Sequence, residues 1–406
     1  MATATSSPPV KPAASKDAKY HTYPFWSPRF WHGMRFRTWM GLLLRNRFRI
    51  HPLRWVMALN ITFTTLGNSL LHFLHVLLFG RKIARTKLNQ DPVFIIGHWR
   101  SGTTYLHELF VLDEQFTSPT TFECFMPHHT LLSGWFVTRF LKFLLPRQRP
   151  MDNVSAGWDR PQEDEFALCN LGLGSPYLTM AFPNEPPQDQ EYLELENVPP
   201  QRRQAWKDGF HWFLQLVTYR SGGKQIVLKS PTHTARVKIL LEMFPNAKFV
   251  HIVRDPRVIF PSTVRLWKSL YQIQGCQHPT FKGLDEHVFN SFERMYRQFD
   301  EQKALIPAGH LYEVRYEDLV RDPLGQMSAI YEQLDLGDFE HARPALEKTL
   351  SGAKDYKTNR YELAPELSEQ IARRWKGYLR RYCYAEDGHG ATEVAREQNM
   401  GQATLT

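Results

Sequence analysis

Val93-Phe94-Ile95-Ile96-Gly97-His98-Trp99-Arg100-Ser101-Gly102-Thr103-Thr104-Tyr105-Leu106-His107-Glu108-Leu109-Phe110 is the stretch on which the fold turns. Its four leading apolar residues read as a buried strand, the glycine-framed octet 97–104 as a loop, and the residues from Tyr105 as a helix. In that order they aim several backbone N–H groups and the positive end of a helix dipole at one point. The result is a cradle for phosphate or sulfate. The glycine spacing matches a phosphate-binding loop, yet Thr103 stands where an ATP-hydrolysing loop carries Lys. Arg100 is the cation inside the loop.

Outward from this stretch, the chain beyond Gln90 alternates strand and helix patterns. Short apolar runs mark buried strands at 93–97, 226–229, 248–253 and 311–315. Helical patterns follow the loop and recur at 234–243 and 286–305. Unbroken apolar runs of this length are typical of parallel strands covered on both faces. The expected fold is therefore α/β, a P-loop-like three-layer arrangement around a central parallel sheet, spanning 89–386. A ligand should lie at the carboxyl ends of the strands, where the loops at 183–200 and 275–283 can shape it.

The 406 residues carry 50 Lys and Arg against 41 Asp and Glu, and the basic excess lies before residue 90. Such a balance favours anionic partners. No zinc finger, RNP motif or basic zipper helix points to nucleic acid, which leaves a membrane surface and a phosphorylated cosubstrate. Cys124, Cys169, Cys276 and Cys383 form no CxxC pair, so a reduced compartment is expected: the cytoplasm or the cytoplasmic face of a membrane. His72 and His75 are spaced for a metal on a helix but lack a third ligand, and no metal is assigned.

Residues 1–19 have no apolar period and are expected to be disordered; 387–406 read as a flexible tail. Between them and the α/β domain, 20–88 form a basic, apolar, helical segment expected to associate with a membrane. Within it, Trp55 to Phe79 run for 25 residues without a formal charge, which is long enough to cross a bilayer. Asn60, Thr62, Thr64, Thr65, Asn68, Ser69, His72 and His75 dilute the run. Three placements remain open: an interfacial helix, a span, or a helix packed on the domain. The sequons at Asn60 and Asn153 matter only in a secretory lumen.

A second constellation closes the third strand: Phe249-Val250-His251-Ile252-Val253-Arg254-Asp255-Pro256-Arg257, with Ser262 eight residues after Arg254. A P-loop ATPase commonly has a magnesium-binding Asp here. An Arg in that place meets negative charge with a guanidinium instead.

With both constellations in view, the chain resembles the sulfotransferases that use 3′-phosphoadenosine 5′-phosphosulfate (PAPS) and release PAP. The GHWRSGTT loop is similar to the family's 5′-phosphosulfate loop, and IVRDPRVIFPS to its 3′-phosphate motif. The phrases Arg160-Pro161-Gln162-Glu163-Asp164-Glu165, Leu228-Lys229-Ser230-Pro231 and Arg315-Tyr316-Glu317-Asp318-Leu319 resemble the bacterial and tyrosyl-protein branch. The resemblance covers about 90–385 and omits the first ninety residues.

It implies that Arg100 and the N–H groups of Ser101, Gly102, Thr103 and Thr104 hold the 5′-phosphosulfate, and that Arg254 and Ser262 hold the 3′-phosphate. It also implies that Lys229 reaches the bridging oxygen. For the general base it points first to Glu123, where tyrosyl-protein relatives carry a catalytic Glu, with His128 and His129 as rivals. His98 and Trp99 add unusual bulk to the loop and are candidates to shape acceptor choice. Glu163 and Glu165 belong either to the acceptor site or to a solvated helix start; on a helix only one of them can face the pocket. Arg373, Arg374, Lys376 and Gly377 are candidates to close over the nucleotide.

Bland roles stand beside these: a surface lysine for Lys229, an ion pair with Asp255 or Asp318 for Arg254, a helix N-cap for Ser262, and a buried pair with Arg100 or Lys229 for Glu123. His107 reads as core. The expected activity is sulfuryl transfer from PAPS to a hydroxyl of a glycan, lipid or other acceptor. The alternatives are an ATP-dependent kinase and an inactive membrane-bound scaffold.

Overall fold

The structure is a computed structural model that describes residues 27–145, 157–352 and 363–384. The expectations for 1–19, 387–406 and Asn153 lie outside the described residues. Among the described residues there are five strands: β1 (Val93–Ile96), β2 (Phe116–Thr117), β3 (Gln225–Lys229), β4 (Lys248–Val253) and β5 (Leu311–Arg315). They form one sheet in the order β2-β3-β1-β4-β5, with every pair parallel. Val93 lies opposite Val227 on one side and Lys248 on the other, so β1 is central.

The helices, in chain order, are α1 (Phe36–Arg45), α2 (Trp55–Arg85), α3 (Thr103–Phe110), α4 (Thr121–Phe125), α5 (Thr130–Phe140), α6 (Asp164–Leu171), α7 (Pro200–Ser221), α8 (Val237–Met243), α9 (Pro256–Gln274), α10 (Leu284–Gln302), α11 (Tyr316–Arg321), α12 (Pro323–Leu334), α13 (Arg343–Gly352), α14 (Pro365–Arg374) and α15 (Lys376–Arg381). The sheet divides them into layers through the two-residue period of its strands. Val93 and Ile95 of β1 point into a core with Leu106 and Phe110 of α3 and Ile330 and Leu334 of α12. Phe94 and Ile96 point the other way, toward Phe210, Leu240, Phe260 and Phe292 of α7 to α10. An all-apolar β1 is thus what a strand between two cores needs. Burying each of its side chains contributes about 1.5–3 kcal/mol.

Four strands fall where their apolar runs predict, and β2 is an addition at the sheet edge. The helix expected at 234–243 begins later, because Pro231–Ala235 form a 3-10 turn that leads into α8. Residues 27–85 share the larger core, through Trp31, Trp39, Leu42 and Ile61. The polar residues that dilute the α2 sequence tie it down: Asn68 Nδ2 donates to the carbonyls of His32 (2.6 Å) and Met34 (3.0 Å). In the same way Trp39 Nε1 donates to Thr62 Oγ1 (2.9 Å), and the Phe36 N–H to Ser69 Oγ (3.0 Å).

Candidate active site

Three strand ends meet around β1, and each delivers part of the site. The loop after β1 starts at Gly97, whose φ of +146° and close approach to β4 exclude a side chain: a Cβ would lie 2.4 Å from the Ile252 carbonyl oxygen. The Gly97 N–H donates to Thr234 Oγ1 at 2.8 Å. Gly102, at φ +106°, ends the loop against the Tyr316 ring, 2.3 Å from where its Cβ would be. Between them Arg100 adopts φ +70°, a left-handed conformation that costs a non-glycine residue free energy and marks functional loops. Thr103 and Thr104 open α3, where helix geometry leaves the first N–H groups without intrahelical acceptors. The Ser101 hydroxyl is buried without a hydrogen-bond partner.

Arg254 follows β4 and is held in place from three sides. Its NH1 donates to the Arg100 carbonyl (3.2 Å), and its guanidinium lies 4.0 Å over the Tyr316 ring. The Tyr378 hydroxyl accepts from the Arg254 N–H and donates to its carbonyl, both at 3.1 Å. Neither predicted acid pairs with it, since Asp255 binds Arg257 and Asp318 binds Arg321. Ser262 is not the N-cap of α9; Asp255 is, accepting from the Arg257 N–H. Ser262 Oγ instead accepts from Arg100 Nε at 2.9 Å, so the two motifs touch.

Lys229 ends β3, but it is no surface lysine. Its side chain is 2% exposed and its ammonium lies 2.7 Å from Glu163 Oε1. The other carboxylate oxygen accepts from the Tyr177 hydroxyl at 2.6 Å, which in turn accepts from Trp99 Nε1 at 2.8 Å. A chain of hydrogen bonds therefore runs from the loop through Trp99, Tyr177 and Glu163 to Lys229. Burial first, and the Glu163 charge second, push the Tyr177 phenol well above its usual pKa, which keeps it a donor. Glu163 is 16% exposed and is the carboxylate that this group presents to solvent.

The neighbouring acids turn inward, as an N-cap residue and a helical residue two places on must diverge. Asp164 takes Ser230 (2.8 Å) and His233 (2.7 Å). Glu165 is fully buried, bound to Arg236 (2.6 Å), Thr232 (2.8 Å) and Ser175 (2.5 Å). Glu165 thus staples the α6 start to the segment after β3 and lies in the core rather than at an acceptor.

Four other expectations are redirected. Glu123 does pair, but with Arg220: Oε1 accepts from Nε at 2.8 Å and Oε2 from NH2 at 2.9 Å, while Oε2 also accepts from the Thr120 N–H. Both of its oxygens are thus engaged, Oε1 by Arg220 and Oε2 by Arg220 and by the N–H at the start of α4. His98 lies in the core against Phe292, and burial lowers its pKa to about 3. Trp99 packs on Trp267 and points to Tyr177 instead of across a pocket. His128 and His129 face α2, the first through the His72 ring and the second through Asn68 (3.1 Å).

Arg374 is committed to Glu286 and Glu293 of α10, at 2.7 Å each. Arg373 and Lys376 are exposed. Among the described residues no group of three His, Cys, Asp or Glu is placed to hold a metal.

The profile of the sulfotransferase family matches residues 92–341, which takes in the loop, both strand-end motifs and β5. The chain belongs to the sulfotransferase family. It is 48% identical over 359 residues to the Mycobacterium tuberculosis omega-hydroxy-beta-dihydromenaquinone-9 sulfotransferase Stf3, covering 88% of this chain and 92% of that one. That coverage necessarily takes in part of the first ninety residues, which the motif resemblance had left out. Among solved structures, sulfotransferase STF9 from Mycobacterium avium superposes with a TM-score of 0.62 at 18% identity, covering 88% of this chain and 98% of that one. STF1 from M. tuberculosis superposes at 0.59 with 20% identity, covering 84% and 92%. Both share the fold of this sulfotransferase. The chain is an enzyme that transfers sulfuryl groups, and the kinase and inactive-scaffold alternatives fall with that finding.

Tyr177, Tyr378 and Arg220 were not legible as partners in this sulfotransferase. Tyr378 and Arg220 meet their targets 124 and 97 residues away, Tyr177 joins Trp99, 78 residues away, to Glu163, 14 residues away, and no local motif marks them. The exception is Glu163, whose place in the Arg160–Glu165 phrase signalled a site without saying which acid faces it.

Proposed function

We infer that this sulfotransferase moves the sulfuryl group of PAPS to a terminal hydroxyl of a membrane lipid, of the hydroxylated menaquinone class on which its Stf3 relative acts, and releases PAP. The observation that carries the acceptor class is the 48% identity over nearly the whole of Stf3. The donor assignment rests on the residues themselves. The loop offers N–H groups and the unpartnered Ser101 hydroxyl to one anion. Arg254 has a cation-π stack and a carbonyl for partners rather than a carboxylate, so it is available to a second anion. Two anion sites joined by the Arg100–Ser262 hydrogen bond suit a nucleotide with phosphates at both ends of its ribose.

PAPS supplies an activated sulfuryl group whose bridging oxygen gains negative charge as PAP departs. On the protein side, Glu163 accepts the proton that the acceptor hydroxyl loses, oriented for this by Tyr177 and Lys229. Lys229 is the buried cation beside it and offsets the growing negative charge. The four cysteines are unpaired, three of them buried, which agrees with catalysis on the cytoplasmic side.

The test is to incubate the protein with radiolabelled PAPS and separated lipid, glycan and protein fractions of a bacterial extract. Label is expected in the lipid fraction. Label confined to glycan or protein would refute the acceptor assignment.

A further inference from the structure

Helix α2 is built inside out. Its buried stripe holds Ala58, Ile61, Thr65, Asn68 and His75, and is fastened to the protein by the hydrogen bonds of Asn68, Thr62 and Ser69. The opposite stripe, Leu59, Phe63, Leu66, Leu70, Phe73 and Leu77, is apolar and faces outward, with Phe63 71% and Leu70 64% exposed. A helix on a water-soluble domain turns its apolar stripe to the core; this one turns its large apolar side chains outward from Val56 to Leu78, about 34 Å at 1.5 Å per residue.

The exposed apolar surface continues onto α5, which packs beside α2 through the His129–Asn68 hydrogen bond. Trp135 (75% exposed), Phe136 and Phe140 on α5, and Phe143 just after it, all face outward. Cations flank this surface. Arg45 and Arg49 are taken up by Asp189 and Glu185, but Arg81, Lys82 and Arg85 at the end of α2, Lys87 after it, and Arg139 and Lys142 on and after α5 are exposed.

We propose that α2 and α5 together form a monotopic docking face for a bilayer leaflet containing anionic lipid, with α2 lying in the plane of the leaflet. Three observations select this occupant. The exposed cations at the end of α2 and beside α5 complement anionic headgroups. The exposed row is also too broad for a two-helix seam, since Leu74, Val76 and Leu78 are exposed as well. Finally, α2 is hydrogen-bonded along its inner side to α1 and to residues 32–36, so crossing the membrane would draw those polar partners into hydrocarbon. A lipid acceptor would be met at such a surface, but the surface stands on its own observations.

Full-length protein is mixed with preformed phosphatidylcholine vesicles, with and without phosphatidylglycerol, and sedimented. Wild type is expected to pellet with the anionic vesicles. The Trp135→Ser, Phe136→Ser, Phe140→Ser triple variant should partition at least about tenfold more weakly, while its turnover of a water-soluble short-chain alcohol stays at the wild-type rate. In a Cys383→Ser background, Leu53→Cys and Lys87→Cys mark the two ends of the helix, and both should react with a membrane-impermeant maleimide on vesicle-bound protein.

Protection of one end would mean a span and would overturn the in-plane placement. Unaltered partition of the triple variant would overturn the role of α5. A wild type that ignores vesicles but forms a dimer which these substitutions dissociate would assign the face to a second copy instead. None of these outcomes depends on the acceptor, since the vesicles contain none; label entering glycan would remove the lipid acceptor and leave this surface standing.

Discussion

Lys229 and Glu163 meet at 2.7 Å at the end of the strand beside the anion loop, with the lysine almost wholly out of solvent. A buried ammonium needs a partner, and a carboxylate so placed is fixed within reach of whatever enters. The pair, with Tyr177 behind it, sets a carboxylate and a cation side by side at a strand end.

Glu163→Gln keeps the size and one hydrogen-bonding oxygen but removes the proton acceptor. Turnover should fall about 10²–10⁴-fold, the usual span for loss of a general base, with PAP affinity retained. Steady-state rates beside PAP titration calorimetry measure both. Undiminished turnover would remove Glu163 from the role.

Tyr177→Phe deletes the donor to Glu163 and the acceptor of Trp99 in one change. A hydrogen bond to a charged group is worth about 1.5–3 kcal/mol, so kcat should drop roughly ten- to a hundredfold while KM for PAPS holds. If KM for PAPS rises and kcat does not fall, the residue positions the donor and not the base.

Glu123→Gln separates folding from chemistry. The charged pair with Arg220 is lost, which should cost about 1–3 kcal/mol, toward the low end because Arg220 is one third exposed and Gln can still accept from the Thr120 N–H. Thermal denaturation should show the loss while kcat per folded molecule stays level. A collapse of kcat at unchanged stability would restore Glu123 as the base.

Arg254→Lys retains charge but cannot keep both the stack on Tyr316 and the fork toward an anion. PAP affinity should weaken about ten- to a hundredfold, whereas affinity for the analogue lacking the 3′-phosphate should barely move. Equal loss for both ligands would place Arg254 outside the 3′-phosphate site.

Acid should destabilise the fold ahead of any carboxylate titration. Burial lowers His98 to about 3 and both His129 and His287 to about 4. Their unfolded rings take up protons below about pH 6.5 and the folded ones do not. Stability is therefore intact above that pH and is lost as the pH falls, by about 1.4 kcal/mol per ring at about pH 5.5. Urea unfolding at about pH 7.5 and 5.5 checks the sign; equal or greater stability in acid contradicts it.

Much of the loop's geometry was legible in the sequence, because a loop pinched between strands leaves marks on the chain: Gly97 and Gly102 where side chains would collide, and Arg254 where a strand ends. The carboxylates beside it were less so. Choosing between Glu123 and Glu163 depends on Arg220 and Lys229, which approach from other elements. Similarly, His98 and Trp99 look like pocket residues by their place in the loop, and only the packing of α9 and α10 shows them filled in behind it. In α2, Asn68 and Ser69 weaken a linear apolar count, yet in three dimensions they belong to the side that is hydrogen-bonded to the domain.

That last feature bears on how the enzyme can be handled. Apolar leading segments are routinely cut away to obtain tractable material, on the premise that they are appended to a self-sufficient body. Here Trp31 donates to the Gln274 carbonyl at 2.7 Å and Asn68 bridges two turns of backbone, so excision before Arg85 would uncover raw interior and leave the catalytic body without a wall. Solubility would have to be engineered by repainting the outer row residue by residue, leaving the inner one untouched.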